Sequence, residues 1–343
     1  MQNKLSKGKL LDENGVLTEA GYATSLIKGY NRADIKANPF RIKEWDYYLI
    51  YNDKYAIALT IDDNSYMGLN GFSIVDFTKP SEITKNIMTV LTCGKVGFPA
   101  TSKVGDVKVE KKNYNFQFLN NGKSRCLKAY IKNFQKRKDI SCEFVLTSEP
   151  KDSMVITVPF KEKQTAFYYN QKIVGFKAKG KVKFGDEEIV FDSSNTRALL
   201  DWGRGVWTYK NTWYWGAACG VVDGKEVGFN IGYGFGDNSN ATENMIFVNG
   251  VAHKLDQVTF NIPKNEKGED DFMKPWTFTS NDKRFEMNFE PIIDRHADAN
   301  VLVIRSNQHQ VFGKFSGTIV LDNGETIELK DFLGFAEKVM NKW

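Results

Sequence analysis

His309 stands in the stretch RSNQHQVFG, where Arg305, Asn307 and His309 alternate with Ser306, Gln308 and Gln310. A strand over these residues carries polar groups on both faces, and such a strand lines water or a polar ligand rather than a core. An imidazole titrates near neutrality and so suits proton transfer, although a histidine held by a neighbouring Asn or carboxylate is equally a structural group. Glu243, in Thr242-Glu243-Asn244 after the loop Gly236 to Asn240, is a possible acid or base at a pocket rim. Asp294 opens the run Asp294-Arg295-His296 beyond the Pro291 break, which reads either as a solvated turn or as a paired acid and base. His309, Glu243 and Asp294 are therefore the candidate catalytic residues. Asp201 and Arg204, lying between Trp202 and Trp207, would form a bidentate ion pair at a domain junction or face a ligand's charged group. With Trp207, Trp213, Trp215, Asn230, Tyr233 and Arg295 they complete the candidate ligand-binding set.

Other chemistries lack their residues. The chain has no GxSxG elbow and no HExxH. Around Gly122, NNGKS imitates a phosphate loop, but Gln117 occupies the place of its first glycine. Gly232, Gly234 and Gly236 spell GxGxG with no helix pattern behind them. Three histidines, His253, His296 and His309, do not predict a multi-histidine metal site, and neither a metal nor a cofactor is expected.

Turn chemistry supplies the elements that must hold these groups. Asn-Gly or Asp-Gly pairs at Asn70-Gly71, Asn121-Gly122, Asp223-Gly224, Asn249-Gly250 and Asn323-Gly324 predict hairpins in a mostly antiparallel β chain. Only Thr18 to Lys28 predicts a helix, with Thr18 as cap and Leu17, Tyr22 and Leu26 on one face. In GFNIGYGFG, Phe229, Ile231, Tyr233 and Phe235 point one way and Gly228, Asn230, Gly232, Gly234 and Gly236 the other. TWYWGAACG repeats the division, so one face of each strand is nearly bare. Bare faces mark either close packing between domains or a ligand-lined cavity.

The segment Phe167 to Trp207 repeats as Val303 to Trp343. At a constant offset of 137, Asn170, Gln171 and Gly180 fall on Asn307, Gln308 and Gly317, and a one-residue slip brings Trp207 to Trp343. Lys172 then corresponds to His309, which places a single active site in the second half. The repeat predicts two domains, 1–205 with a helical N-terminal extension and 206–343, each a closed barrel or a sandwich that hides its edges.

Composition bounds the partners. In 343 residues, 47 basic and 42 acidic side chains leave a net charge of +5, too small and too evenly spread for a nucleic-acid protein. No apolar run approaches the ~20 residues of a transmembrane helix, and Lys4, Lys7 and Lys9 precede no signal-peptide core. Cys93, Cys126, Cys142 and Cys219 form no CxxC pair and read as free thiols of a cytoplasmic protein.

DWGRGVW (Asp201 to Trp207), WYWGAA (Trp213 to Ala218), TEN (Thr242 to Asn244), DR (Asp294, Arg295), HQVFGKFSG (His309 to Gly317) and GFAEK (Gly334 to Lys338) together resemble a bacterial family known as a numbered domain of unknown function. More remotely, the two halves are similar to the tandem-lipocalin arrangement of carotenoid hydratase-like and AttH-like proteins. That resemblance implies a mostly β fold of two lipocalin-like (calycin) antiparallel β-barrels with few short helices and a pocket at or between their mouths. It further implies a small, largely hydrophobic or amphipathic partner, either carried or acted on by acid/base chemistry of the hydratase, isomerase or lyase kind. His309 or Glu243 would move protons, and Arg204 or Arg295 would hold an anionic group. A carbohydrate-active protein, using Glu243 and Asp294 as paired carboxylates beside Trp platforms, is the remaining alternative.

Overall fold

The computed structural model of the chain describes residues 2–301 and 304–342; Val303 and Trp343, the ends of the second repeat, lie outside the described residues. Near the N-terminus are β1 (Gly8–Lys9), β2 (Gly21–Ala23) and β3 (Lys28–Gly29). There follow β4 (Ile42–Tyr51), β5 (Tyr55–Asp63), β6 (Met67–Asp76), β7 (Ser81–Val90), β8 (Val107–Lys111), β9 (Tyr114–Asn120), β10 (Arg125–Gln135) and β11 (Lys138–Thr147). The first sheet is completed by β12 (Met154–Phe160), β13 (Lys163–Phe184), β14 (Glu187–Phe191) and β15 (Arg197–Val206). The second contains β16 (Lys210–Val222), β17 (Lys225–Tyr233), β18 (Met245–Val248), β19 (Val251–Lys254), β20 (Val258–Asn261), β21 (Trp276–Ser280), β22 (Phe285–Val301), β23 (Ile304–Val320) and β24 (Thr326–Lys342).

Strand order exposes the duplication. The first sheet runs β7-β6-β5-β4-β15-β13-β11-β10-β9-β8 and the second β19-β18-β17-β16-β24-β23-β22-β21-β20. In each, a meander of four strands has its first member paired antiparallel to the last strand of the unit (β4 with β15, β16 with β24). Both sheets curl into half-barrels, a nearly all-β, tandem lipocalin-like fold.

Alternation along the strands decides what each face meets. On β4, Glu44, Asp46 and Tyr48 point into the first half-barrel, where Tyr48 packs edge-on against Phe118. Trp45, Tyr47 and Tyr51 point the other way, against Trp207, Trp215 and Cys219. One apolar cluster therefore joins the first half-barrel to the seam between the sheets, taking in Trp215, Ala217, Cys219, Phe312 and Phe335 of the second. A separate cluster with Phe229, Trp276, Phe289 and Phe315 fills the second half-barrel. The bare face of β17 belongs to the seam, since a Cβ on Gly228 would stand 3.0 Å from Val174 of the first sheet.

Two local expectations fail. Thr18 to Lys28 forms no helix; among the described residues the only helical segments are the 3-10 turns Arg32–Asp34 and Pro39–Arg41. Thr18 donates its hydroxyl to the Lys9 carbonyl instead of capping, and Tyr22 joins a ladder on Ile156, so strand pairing satisfies the backbone that a helix would have satisfied internally. Asn70-Gly71 is no turn but the middle of β6, where Gly71 leaves room for the Asn86 side chain. Asp223-Gly224 and Asn249-Gly250 do make hairpins with both residues at positive φ (49° and 76°, 49° and 77°). Asn121-Gly122 and Asn323-Gly324 also join paired strands.

Candidate functional site

Register assembles the site. Tyr233 pairs with Tyr214, Tyr214 with Lys338, Lys338 with His309 and His309 with His296, a single rung across β17, β16, β24, β23 and β22. Register partners share a sheet face, so these five side chains line one end of the second half-barrel. Asp294, two residues from His296 on the same face of β22, accepts from His309 Nδ1–H at 2.7 Å. Both side chains keep 17% exposure, enough to meet a ligand. The His309 ring lies between Phe272 (centroids 3.9 Å apart, planes at 11°) and His296 (4.1 Å, 11°). Face and Nδ1 are thus committed, while Nε2 has no hydrogen-bond partner among the described residues. Such an arrangement holds one tautomer in one orientation, as a general base or acid requires.

Next in the rung, Lys338 bonds Asp270 and lies 5.5 Å from the Tyr214 ring centroid. Burial disfavours its charge, but the Asp270 carboxylate and the Tyr214 hydroxyl together outweigh that and raise the ammonium above its usual range. Tyr214 and Tyr233 stack at 4.5 Å, and burial pushes the Tyr233 phenol up to about 12, so it stays a hydrogen-bond donor. Met340, one rung outward from Lys338, and Met273 remain 45% and 48% exposed and give this end of the half-barrel an apolar rim.

A second cluster lies buried in the seam, and most of the expected ligand residues gather there. Lys172 and Asp201, register partners on β13 and β15, form an ion pair of 2.9 Å. Lys172 also sits 4.0 Å from the Trp215 ring centroid. Trp215 donates Nε1–H to Asn230 Oδ1 (2.7 Å), and Asn230 donates to the Glu243 carbonyl (2.8 Å). From the second sheet, Glu337 accepts from Trp213 Nε1 (2.9 Å) and from Gln310 (2.9 Å). Burial pushes the Glu337 carboxyl up to about 7 and that of Glu243 upward as well. Arg295 reaches across to donate to Ser73 Oγ at 2.7 Å. Trp207 closes one end, edge-on to Trp45, Trp213 and Phe235.

Several sequence expectations are corrected by these placements. Asp201 and Arg204 do not pair: an odd separation along β15 sends them to opposite faces. Arg204 is fully buried inside the first half-barrel, donating to Asp46 Oδ1 (3.1 Å) and to the carbonyls of Trp45, Gly203 and Pro99. Glu243, buried on the seam side of the second sheet beside Gly232, does not join Asp294 on the inner side, so the expected pair of carboxylates is not formed. Lys172 and His309 are not equivalent either. Lys172 and Asp201 match Gln310 and Glu337 across the two units, and the single-residue difference turns His309 inward.

Tyr214, Lys338, Phe272 and Asp270 escaped the sequence reading, as did Lys172, Gln310 and Tyr47 in the seam. Lys172 did leave a signal: with Asn170 and Gln171 it forms a polar triplet between the apolar FYY and IVGF segments. In the rung, His309 and Tyr233 stood out in the chain, but Tyr214 and Lys338 left no signal, since only strand pairing brings them beside the other two.

The sequence profile of the family described as Domain of unknown function (DUF2804) matches residues 2–343. No curated protein sequence matches the chain. Among solved structures it is similar to a Nitrosomonas europaea protein provisionally named AttH, at 13% identity over 90% of this chain and 94% of that one, with a TM-score of 0.53. It is also similar to kievitone hydratase from Nectria haematococca (10% identity, 88% of each chain, TM-score 0.47). CghA aligns at 9% identity over 100% of this chain and 97% of its own, with a TM-score of 0.47. The likeness to the Nitrosomonas protein shows a shared fold, which by itself assigns no activity.

Proposed function

The chain belongs to the family described as Domain of unknown function (DUF2804), and on that premise we propose that it binds a small, largely apolar molecule at the rung of the second half-barrel and moves a proton on it. The observation that carries this reading is the His309–Asp294 pair at 2.7 Å, half-buried and held between two rings. Asp294 orients the imidazole, Nε2 takes or delivers the proton, and Lys338 with Tyr214 steadies negative charge developing on the substrate. Chemistry of the hydratase, isomerase or lyase kind needs these groups. The apolar rim of Met273 and Met340 favours an apolar ligand over a sugar, as does the separation of Glu243 from Asp294. Four free cysteines, with burial pushing the Cys142 and Cys219 thiols up to about 12 and 11, support a reducing compartment such as the cytoplasm.

Native mass spectrometry of protein purified from its own host will identify the bound molecule. With that molecule as substrate, His309→Gln is expected to lower turnover by about 10²–10⁴-fold while the melting temperature holds. Turnover that survives the substitution overturns the catalytic reading and leaves a carrier.

A further inference from the structure

The loop between β20 and β21, residues 262–275, is a small structure of its own. Lys264 and Asp270 bridge its two arms, Asp271 N–H donates to the Pro263 carbonyl at 2.8 Å, and Gly268 turns the tip at a φ of 79°. Two of its side chains reach the rung, and they do so in the manner of a ligand. Phe272 lies flat on His309 with ring centroids 3.9 Å apart, and Asp270 delivers a carboxylate to Lys338. His309 and Lys338 are register partners, so the surface they form accepts a planar ring and an anionic group on adjacent strands.

We infer that this strap occupies the place of the substrate, and that the substrate is a planar aromatic acid whose ring displaces Phe272 from His309 and whose carboxylate displaces Asp270 from Lys338. The inference rests on the rung being the ligand site. Asp270 is suited to leave: its carboxylate is also bonded to Lys264 within the loop, so release from Lys338 does not strand a buried charge. Phe272 is only part-buried, unlike a core aromatic: its ring meets Trp276 at 5.9 Å on the edge of the second half-barrel's apolar cluster, and its neighbour Met273 is exposed. A strap that rests on the site lowers the apparent affinity of any competitor by the fraction of time it is seated.

The test is a binding measurement, by calorimetry, on the full chain with 2-naphthoate, the neutral 2-naphthylmethanol and the non-planar decahydro-2-naphthoate. Asp270→Asn/Phe272→Ala is expected to bind 2-naphthoate at least tenfold more tightly than the unaltered protein, and to bind the other two probes at least tenfold more weakly than naphthoate. Adding Lys338→Met to that variant should remove the preference for the acid and leave affinity for the alcohol unchanged. Equal affinity of the unaltered and strap-altered proteins, or equal affinity for all three probes, overturns the inference. Should the double variant lose its cooperative melt, Phe272→Leu keeps the bulk but not the plane. It too must tighten naphthoate binding, and an unchanged affinity overturns the inference. Tightened binding together with turnover that survives His309→Gln would sink the catalytic reading alone.

Discussion

Gly203, at the centre of DWGRG, explains the motif by what it leaves out. A Cβ there would stand 1.8 Å from the Trp45 indole, which stacks on Tyr168 and meets Trp207 edge-on, so the ring has nowhere to retreat. Gly203→Ala is expected to cost about 1–3 kcal/mol in denaturant unfolding, the range of core overpacking. Glu337 makes a prediction with a sign. The folded carboxyl keeps its proton up to about pH 7, against a usual value of 4.5. Between these limits the native state binds more protons than the unfolded chain, so this group's contribution to stability falls as pH rises from about 4.5 to 7 and stays low above. Glu337→Gln, which cannot ionise, should therefore gain about 1–3 kcal/mol on the unaltered protein between pH 4.5 and pH 8. Denaturant midpoints at the two pH values check it, and an advantage that shrinks as pH rises would contradict it.

Between elements, the seam interlocks two equivalent groups of side chains. Tyr47, Asp201 and Lys172 are register neighbours on β4, β15 and β13, and Trp215, Glu337 and Gln310 hold the matching places on β16, β24 and β23. Lys172 rests on Trp215, Tyr47 meets the same indole edge-on, and the Tyr47 hydroxyl donates to Gln310 at 3.4 Å. Removing one charge strands the other. Lys172→Met should cost about 3–5 kcal/mol by leaving Asp201 uncompensated, and Lys172→Met/Asp201→Asn should cost less than the single change. A double variant no more stable than the single one would show that the pair is not what Lys172 contributes.

At the scale of the molecule, one apolar cluster spans the seam, so neither half-barrel has a complete surface of its own. The chain should unfold in one transition, with calorimetric and van't Hoff enthalpies equal. Residues 1–206 expressed alone should bind a hydrophobic dye and lack a cooperative melt, because Trp45, Tyr47 and Tyr51 would lie bare. Two separated transitions would show that the sheets are energetically independent.

Composition, turn pairs and the likeness of the two halves, though not the residue-by-residue match at an offset of 137, were legible in the chain alone, because period-two patterning and positive-φ turn residues are local properties. They determined an all-β tandem, and they singled out His309, Asp294 and the Trp-rich segments. Local periodicity also misled where another strand supplied the hydrogen bonds, as at Tyr22 and at Asn70-Gly71. Tertiary structure alone decided which residues meet. A shift of one position along a strand moves a side chain through the sheet, so it separated Arg204 from Asp201 and Glu243 from Asp294. The same register aligned Tyr233, Tyr214, Lys338, His309 and His296, residues spread over 125 positions of chain, into the rung where the chemistry is proposed.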